Sequence, residues 1–478
     1  MGGDDGKHPT SAIEDAIEFT GAIELPDGKV RIWRKVLLVP GLWGQMLPRV
    51  RMQILMGGVC FSNYLIRVAL GTCAVQMVNE YGWDVQAKGM LLGAFFWGYL
   101  AGNLFAGVLA ARYGASLTLA AAAVLWSCLA IAVPLAADMG FSHLWLLLTF
   151  LGLAASPVLA TSSALIAAAV PASERGRCLA GRALAFRFGS IVATVATPWL
   201  CMHIGWRAVF LVFGIFSFLL GLMWLAFAPA MAMKVAGEVL EADNGAATQQ
   251  STQGAQRTLA FLPWHVLRHP GFAALLATHC SHNFSVYTIM SWGPSYFTEA
   301  LQTPLEVVGL YLLAPAIAQG AGAVIGGIVM DKLQTQHMPL LVLRRRIICP
   351  AALVAAAGLV GFGLARDAVS ASLSITVAKL GVGVLDTAVN AVYLDIAPAS
   401  TASVVSVGNC IATLPGALGP AMVAALLRST GLWFMVWSSI AGCLVVSGVL
   451  FAFWGSVDDM DKEGEKAKSG EKSKYMHV

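Results

Sequence analysis

The sequence predicts an all-α membrane protein with twelve transmembrane helices arranged as two bundles of six. Of its 478 residues, 58% are hydrophobic and only 12% are charged, which is far from the composition of soluble globular proteins. The hydrophobic residues form continuous runs of about 20 residues or more. Such runs become helices in a bilayer because every backbone polar group must be hydrogen-bonded within the segment. Their continuity favours helices over the alternating strands of a membrane barrel.

Twelve apolar runs, bounded by charged residues, proline and glycine, mark the predicted spans, which we number 1 to 12 in chain order. Spans 1 to 6 cover residues 53–79, 89–111, 115–137, 143–170, 179–200 and 207–229. Spans 7 to 12 cover residues 272–298, 306–330, 343–365, 369–395, 402–427 and 431–455. The predicted regions are an N-terminal tail (1–52), a first bundle (53–229), a linker (230–271), a second bundle (272–455) and a C-terminal tail (456–478).

The linker and the basic residues complete the predicted layout. The run Ala246–Gly254 is of low complexity and has nothing to bury, so it is predicted to be flexible. Lysine and arginine precede span 1 and fill the loops after spans 2, 4, 6 and 8, whereas the other loops carry few. Basic loops face the cytoplasm, so both termini are predicted to be cytoplasmic. The membrane itself, whether plasma, vesicular or organellar, is left open.

The remaining composition argues against several classes of function. Positive charge follows the loops and forms no patch suited to nucleic acid, so no nucleic-acid partner is expected. The nine cysteines mostly lie inside apolar runs and form no C-x-x-C pair, so we interpret them as core residues. Nucleophile elbows, phosphate loops and metal-ligand spacings are missing from the sequence. We therefore expect neither an enzyme nor a cofactor or metal.

Two loop motifs resemble those of the major facilitator superfamily, whose members share the layout of two six-helix halves. Residues Gly107–Gly114, after span 2, resemble the motif G-x-L-A-D-R-x-G, with Ala111 in place of its aspartate. Residues Gly326–Leu333 are the counterpart in the second half and keep the acid as Asp331. The resemblance implies a substrate site between the halves and a gating role for Arg112 and Asp331.

Further motifs resemble one branch of that superfamily, the anion:cation symporters, which include solute carrier family 17 and plant plastid-type phosphate transporters. These motifs are Asn63–Leu70, Ala94–Tyr99, Val170–Arg175, Ser291–Phe297, Leu394–Pro398 and Gly408–Gly416. The resemblance extends over about residues 50–455. It implies transport of a small organic anion or inorganic phosphate by alternating access, through a cavity formed by spans 1, 4, 7 and 10.

Arg67 is the predicted principal contact for the anion. It lies near the middle of span 1, where an unpaired cation costs roughly 3 kcal/mol and usually faces a cavity. A guanidinium binds carboxylate or phosphate through two hydrogen bonds, and the resemblance assigns this role to the matching arginine. The alternative is a structural pair with a carbonyl or an acid. The other predicted substrate-binding residues are Tyr64, Asn63, Arg187, Tyr287, Asn283 and Asn409.

Span 4 departs from the branch, which places an arginine and one or two glutamates there, one of them for proton coupling. Span 4 carries no charge in this chain. Arg187 in span 5 either replaces the missing arginine across the cavity or extends to the membrane surface from a helix end. We therefore expect transport driven by the substrate gradient, by exchange or by membrane potential, with co-transported H⁺ or Na⁺ left open.

Four other ionisable residues lie inside predicted spans and are candidates for coupling. His279 and His282 in span 7 can carry a proton near neutral pH, although membrane histidines are more often hydrogen-bonded core residues. Lys379 and Asp386 in span 10 are seven residues apart, on one helix face, and a structural ion pair between them is the favoured interpretation.

Two functions remain at this stage. The first is a monomeric transporter of a small anionic solute. The second is a transporter-like receptor that binds an anion without moving it, which the loss of the acid at Ala111 and of the span 4 carboxylates favours.

Overall fold

The structure is a computed structural model that describes residues 22–24, 30–32, 48–170, 172–242, 264–336, 338–398 and 401–460. The chain divides into two compact units, Met1–Leu47 and Pro48–Val478. In the first unit, strand β1 (Ala22–Glu24) pairs antiparallel with strand β2 (Val30–Ile32), with Ala22 opposite Ile32. The run Ala246–Gly254 and the C-terminal tail beyond Met460 lie outside the described residues.

The described part of the second unit is helical. The helices before the linker are α1 (Pro48–Tyr81), α2 (Val85–Tyr113), α3 (Ala115–Ile131), α4 (Val133–Asp138), α5 (Phe141–Ala155), α6 (Pro157–Ala169) and α7 (Ala172–Ala242). Those after it are α8 (Trp264–Leu267), α9 (Pro270–Ser295), α10 (Leu305–Gln334), α11 (Leu340–Leu364), α12 (Ala368–Ile396), α13 (Thr401–Thr430) and α14 (Trp433–Trp454). A π-helical turn, Tyr296–Ala300, continues α9.

Every predicted span overlaps an observed helical segment, so the predicted fold class is confirmed and the count of twelve is consistent with the structure. Among the described residues, nine helical stretches are long and apolar enough to cross a membrane. One of them, Glu174–Phe227, has 54 residues, enough for two crossings, and bends at Gly205, whose φ of 84° favours glycine. Span 3 consists of α3 and α4, and span 4 of α5 and α6.

The bounds of the predicted linker need a correction. Helix α7 continues to Ala242, inside the segment 230–271. The sequence from Met231 to Ala242 is rich in alanine, methionine, lysine and glutamate, which favour helix even where a polar composition suggests a linker.

At one end of the second unit, helices from the first six spans pack tightly against helices from the last six. A Cβ atom added at Gly71 in α1 would lie 2.3 Å from the carbonyl oxygen of Met290 in α9. One added at Gly93 in α2 would lie 2.5 Å from that of Ala417 in α13. Only glycine permits such close approach of two backbones, a common basis of helix packing in membranes. We call this end, which also contains the start of α2 and the end of α9, the closed end.

A hydrogen-bonded network joins α1, α4 and α7 at their neighbouring ends. Arg207 donates to Glu80 at 2.6 Å and to Asp138 at 2.7 Å. Tyr81 donates to Asp138 at 2.5 Å, and Trp206 donates to Glu80 at 2.7 Å. The Tyr81 hydroxyl, followed by the Arg207 guanidinium, lowers the pKa of the Asp138 carboxyl. The charged form of Asp138 is therefore the one that stabilises this junction.

We expect Asp138→Asn to lower the melting temperature of the detergent-solubilised protein by a few degrees at neutral pH. Because the folded-state pKa is depressed, the contribution of Asp138 is present above its ordinary pKa and is lost as the pH falls through the folded value. The difference in melting temperature between wild type and variant should therefore become smaller below about pH 4. Thermal unfolding of both proteins at neutral pH and below about pH 4 measures this difference. An equal difference under the two conditions would contradict the stabilising role of the Asp138 charge.

Candidate functional site

A central cavity of about 1000 Å³ lies among the helices of the second unit. The expected spans 1, 4, 7 and 10 contribute to it through α1, α6, α9 and α12, and so do α2, α7, α10 and α13. Ala167, Asn390 and Ser406 line the cavity yet are exposed, and they belong to the helix ends opposite the closed end. The cavity is therefore open away from the closed end and ends at the contacts of Gly71 and Gly93.

Arg67 lies at the inner part of this cavity, enclosed by aromatic rings. Only 7% of its surface is exposed. Its guanidinium carbon is 5.0 to 5.4 Å from the ring centroids of Tyr64, Phe95, Phe96, Tyr99 and Tyr287. Cation–π contact with these rings offsets part of the cost of burying the charge.

The hydrogen-bonding groups of Arg67 are only partly used. Its Nε and Nη2 atoms are buried and have no hydrogen-bond partner in the described part of the chain. No ion pair joins Arg67 to an acid among the described residues. Rings do not accept N–H groups as well as oxygen does, so the site retains donors for an anion. The sequence motif Ala94–Tyr99 supplies three of the five rings, a contribution that the motif alone did not reveal.

The other predicted substrate-binding residues divide into two groups. Tyr64, Tyr287 and Asn409 line the cavity, the two tyrosines against Arg67. Asn283 also lines it, but its side-chain amide donates to the carbonyl oxygen of Ala412 at 2.8 Å and so joins α9 to α13. Asn63 is buried and is not among the lining residues.

Arg187 and Asp386 form an ion pair across the cavity. Nη2 of Arg187 in α7 is 2.8 Å from Oδ2 of Asp386 in α12, and each side chain is about one third exposed (31% and 32%). Arg187 thus lies in the cavity and does not extend from a helix end. The predicted direct pair between Lys379 and Asp386 is wrong, because the Asp386 carboxylate pairs with Arg187 and the Lys379 ammonium donates to Gln319.

Lys379 and the two histidines have other neighbours. Lys379 is 8% exposed, and its Nζ donates to Oε1 of Gln319 at 3.2 Å. Nε2 of His282 is 3.9 Å from Oδ1 of Asp386, so the distance permits a contact if the ring is protonated. Nδ1 of His279 is 3.0 Å from the hydroxyl of Tyr393. All of these side chains line the cavity, and all come from helices of the last six spans.

The gating candidates from the loop motifs lie elsewhere. Arg112 is exposed and its guanidinium lies over the ring of Tyr113 at 5.5 Å, and Asp331 is exposed near the end of α10. Neither residue forms an ion pair within the described part of the chain.

The closed end contains an ion pair that sequence reasoning missed. Lys88 of α2 contacts Glu299 of the π-helical turn through its Nζ, and Nζ also lies 5.1 Å from the ring of Trp292. The Lys88 side chain is only 2% exposed, whereas that of Glu299 is 44% exposed. The sequence suggested a loop position for Lys88, but the residue is buried inside α2. The partners are 211 residues apart in the sequence, so no local pattern could pair them.

Apolar helices long enough to cross a membrane, grouped around a central cavity in the described part of the chain, define a multi-pass integral membrane protein with the architecture of a transporter. Residues 56–420 match the model of the Major Facilitator Superfamily, and the chain belongs to this family. It is similar in fold to the xylose transporter XylE from E. coli in an inward-open conformation (TM-score 0.68, 14% identity, 89% of this chain and 100% of that one). The same is true of a bacterial homolog of human Spinster (TM-score 0.65, 15% identity, 89% and 99%).

Relatives named as transporters of anions or of phosphate confirm the predicted resemblance. The chain is 28% identical over 308 residues to the chloroplastic ascorbate transporter of Arabidopsis thaliana (63% of this chain, 56% of the relative). It is 25% identical over 419 residues to the chloroplastic sodium-dependent phosphate transport protein 1 of the same plant (86% and 80%). It is 25% identical over 387 residues to human sialin (79% and 76%). The match thus spans little more than half the length of the ascorbate transporter.

Proposed function

We propose that this protein moves a small organic anion or inorganic phosphate across a membrane by alternating access, with Arg67 as the principal contact for the anion. The observation that carries the proposal is the state of Arg67. A buried guanidinium at the inner part of a membrane cavity, with two nitrogens that have no hydrogen-bond partner in the described part of the chain, is costly unless an anion binds it. Relatives whose names specify ascorbate or phosphate transport support the same class of substrate.

Two halves, 53–229 and 272–455, would move about this cavity, joined by the segment between them. In the present conformation the anion enters from the open end and reaches Arg67, while the closed end blocks passage. Release on the other side requires the contacts of Gly71 and Gly93 and the Lys88–Glu299 pair to separate. Aromatic rings around Arg67 exclude water and strengthen its attraction for a desolvated anion.

Orientation and energy supply complete the proposal. The basic loops support cytoplasmic termini, and with that orientation the open end of the cavity faces the cytoplasm. Span 4 has no carboxylate for proton coupling, and the nearest acid to the cavity wall, Asp386, is held by Arg187. Transport by a monomer is then driven by the substrate gradient, by exchange or by membrane potential. A co-transported ion, if one is used, binds near Asp386 and His282.

Uptake into proteoliposomes tests the function. We expect the purified full-length chain to take up at least one radiolabelled anion from a panel of phosphate, dicarboxylates, acidic amino acids, nucleotides and hexuronates. Uptake should saturate, fall in the presence of the unlabelled anion and be absent from protein-free liposomes. Tight binding without flux would instead establish the receptor. Strict dependence on an imposed pH gradient, abolished by a protonophore, would contradict the proposed energy supply.

A further inference from the structure

A side pocket of about 80 Å³ borders the central cavity. The two spaces share the lining residues Arg187, Ser190, Met290, Gln319 and Lys379. The pocket is therefore polar where it meets the cavity. Its size suits one carboxylate or phosphate group and is too small for a whole organic substrate.

Positive charge around this junction exceeds the negative charge. The single described partner of the Lys379 ammonium is the neutral amide of Gln319. Arg187 has a counter-ion in Asp386, and Arg175, at the rim, donates to the carbonyl oxygens of Val170 and Ala167. Four of the described lysine, arginine and acidic residues line the cavity inside the rim. Three are cations and one is a carboxylate: Arg67, Arg187, Lys379 and Asp386.

Two of those cations, Arg67 and Lys379, have no carboxylate partner in the described part of the chain, and both are more than nine-tenths buried. An isolated cation in a membrane interior is retained where it meets a ligand or another charge. The two residues line one cavity from different halves of the chain, Arg67 from α1 and Lys379 from α12. One small anion at Arg67 would leave Lys379 without a counter-charge.

We propose that Lys379, with Arg187, Gln319 and Ser190, forms a second anion subsite, and that the preferred substrate is a dianion with one anionic group at Arg67 and the other at Lys379. The inference rests on the proposed function and narrows its substrate class. An ammonium is a compact charge that accepts either carboxylate or phosphate. Two groups on one molecule bind at high effective concentration once the first is held, so a single dianion is favoured over two separate monoanions.

Matched pairs of ligands test the second subsite. Four- to six-carbon dicarboxylates are compared with their half-amides, and phosphoglycolate with glycolate, by calorimetric titration of the purified full-length protein near neutral pH. We expect at least one dianion to bind about tenfold or more tightly than its monoanionic counterpart, because a charge-assisted contact is lost in the latter. A wild-type ratio near one for every pair would overturn the proposal.

Variants of Lys379 test whether this residue causes the preference for dianions. Lys379→Gln should bring the ratio of dianion to monoanion affinity close to one, while Lys379→Arg should keep a clear preference. Lys332→Gln, which removes an exposed lysine at the end of α10, is the matched control and should leave the ratio at its wild-type value. A ratio unchanged in Lys379→Gln would overturn the proposal. If Lys379→Gln does not fold, the affinity ratios of the wild type and of Lys379→Arg decide whether the second subsite exists.

The design separates this proposal from the proposed function. Monoanions that bind in an Arg67-dependent manner, with no preference for dianions, would overturn the second subsite and leave the anion transporter standing. Binding of no anion by the wild-type protein would overturn both.

Discussion

Replacing Arg67 with glutamine should abolish saturable anion uptake, and replacing it with lysine should lower uptake about 100-fold or more at limiting substrate. Glutamine removes the cation that the five aromatic rings enclose, so the anion loses its proposed principal contact. Lysine keeps the charge but loses the planar pair of N–H donors, and truncating one member of a buried charged contact typically costs about 2–5 kcal/mol. Initial rates of uptake into proteoliposomes, with matched protein orientation, measure both effects.

Arg428→Lys is the matched control for this experiment. Arg428 is an exposed arginine at the end of α13, away from the cavity, so its replacement should leave uptake near the wild-type rate. Each variant is first compared with wild type by size-exclusion chromatography and thermal unfolding, so that loss of transport is not loss of fold. A folded Arg67→Gln variant that transports the anion at the wild-type rate would remove Arg67 from the binding site.

The sequence was sufficient to identify Arg67 as a candidate contact for the anion because its signal is local. A cation within a continuous apolar run is conspicuous on energetic grounds alone, whatever the rest of the chain does. The helices were predictable for the same reason, since length and continuous hydrophobicity determine a membrane span. The aromatic enclosure was predicted only in part. Tyr64 and Tyr287 were among the predicted substrate-binding residues, whereas the contacts of Phe95, Phe96 and Tyr99 with Arg67 depend on how α2 packs against α1.

Partners across the cavity were beyond the reach of the sequence. Helical periodicity places Lys379 and Asp386 on one face, but it does not say which residue of another helix meets them. Asp386 in fact pairs with Arg187, 199 residues away in the sequence, and Lys379 contacts Gln319. Contacts of this kind depend on how helices pack, and many packings satisfy one pattern of apolar residues. A charge inside a span therefore identifies a candidate site without identifying its partner.

Glu299→Gln should open the closed end of the cavity. Lys88 is almost fully buried in α2 and would lose its counter-charge, while α9 and its π-helical turn would lose a direct link to α2. Removing one partner of a fully buried pair costs about 3–5 kcal/mol, and the partial exposure of Glu299 reduces this to roughly 1–3 kcal/mol. That range shifts a two-state equilibrium by about 5- to 150-fold towards the conformation in which Lys88 reaches water.

Distances between spin labels detect this shift. Labels at Met139 and Leu432, two exposed positions beside the closed end, are introduced into a variant without native cysteines. We expect Glu299→Gln to increase the population of long distances, and the control Glu306→Gln, which removes an exposed acid from α10, to leave the distribution unchanged.

The double variant Lys88→Met/Glu299→Gln decides whether the buried charge is the cause. It removes the unpaired ammonium and replaces it with an apolar side chain of similar length, a change that is often nearly neutral when both partners of a buried pair are exchanged. Short distances should therefore return in the double variant, although each residue has changed. If the double variant stays as open as Glu299→Gln, the unpaired Lys88 charge is not the cause, and loss of the direct link between Lys88 and Glu299 accounts for the opening.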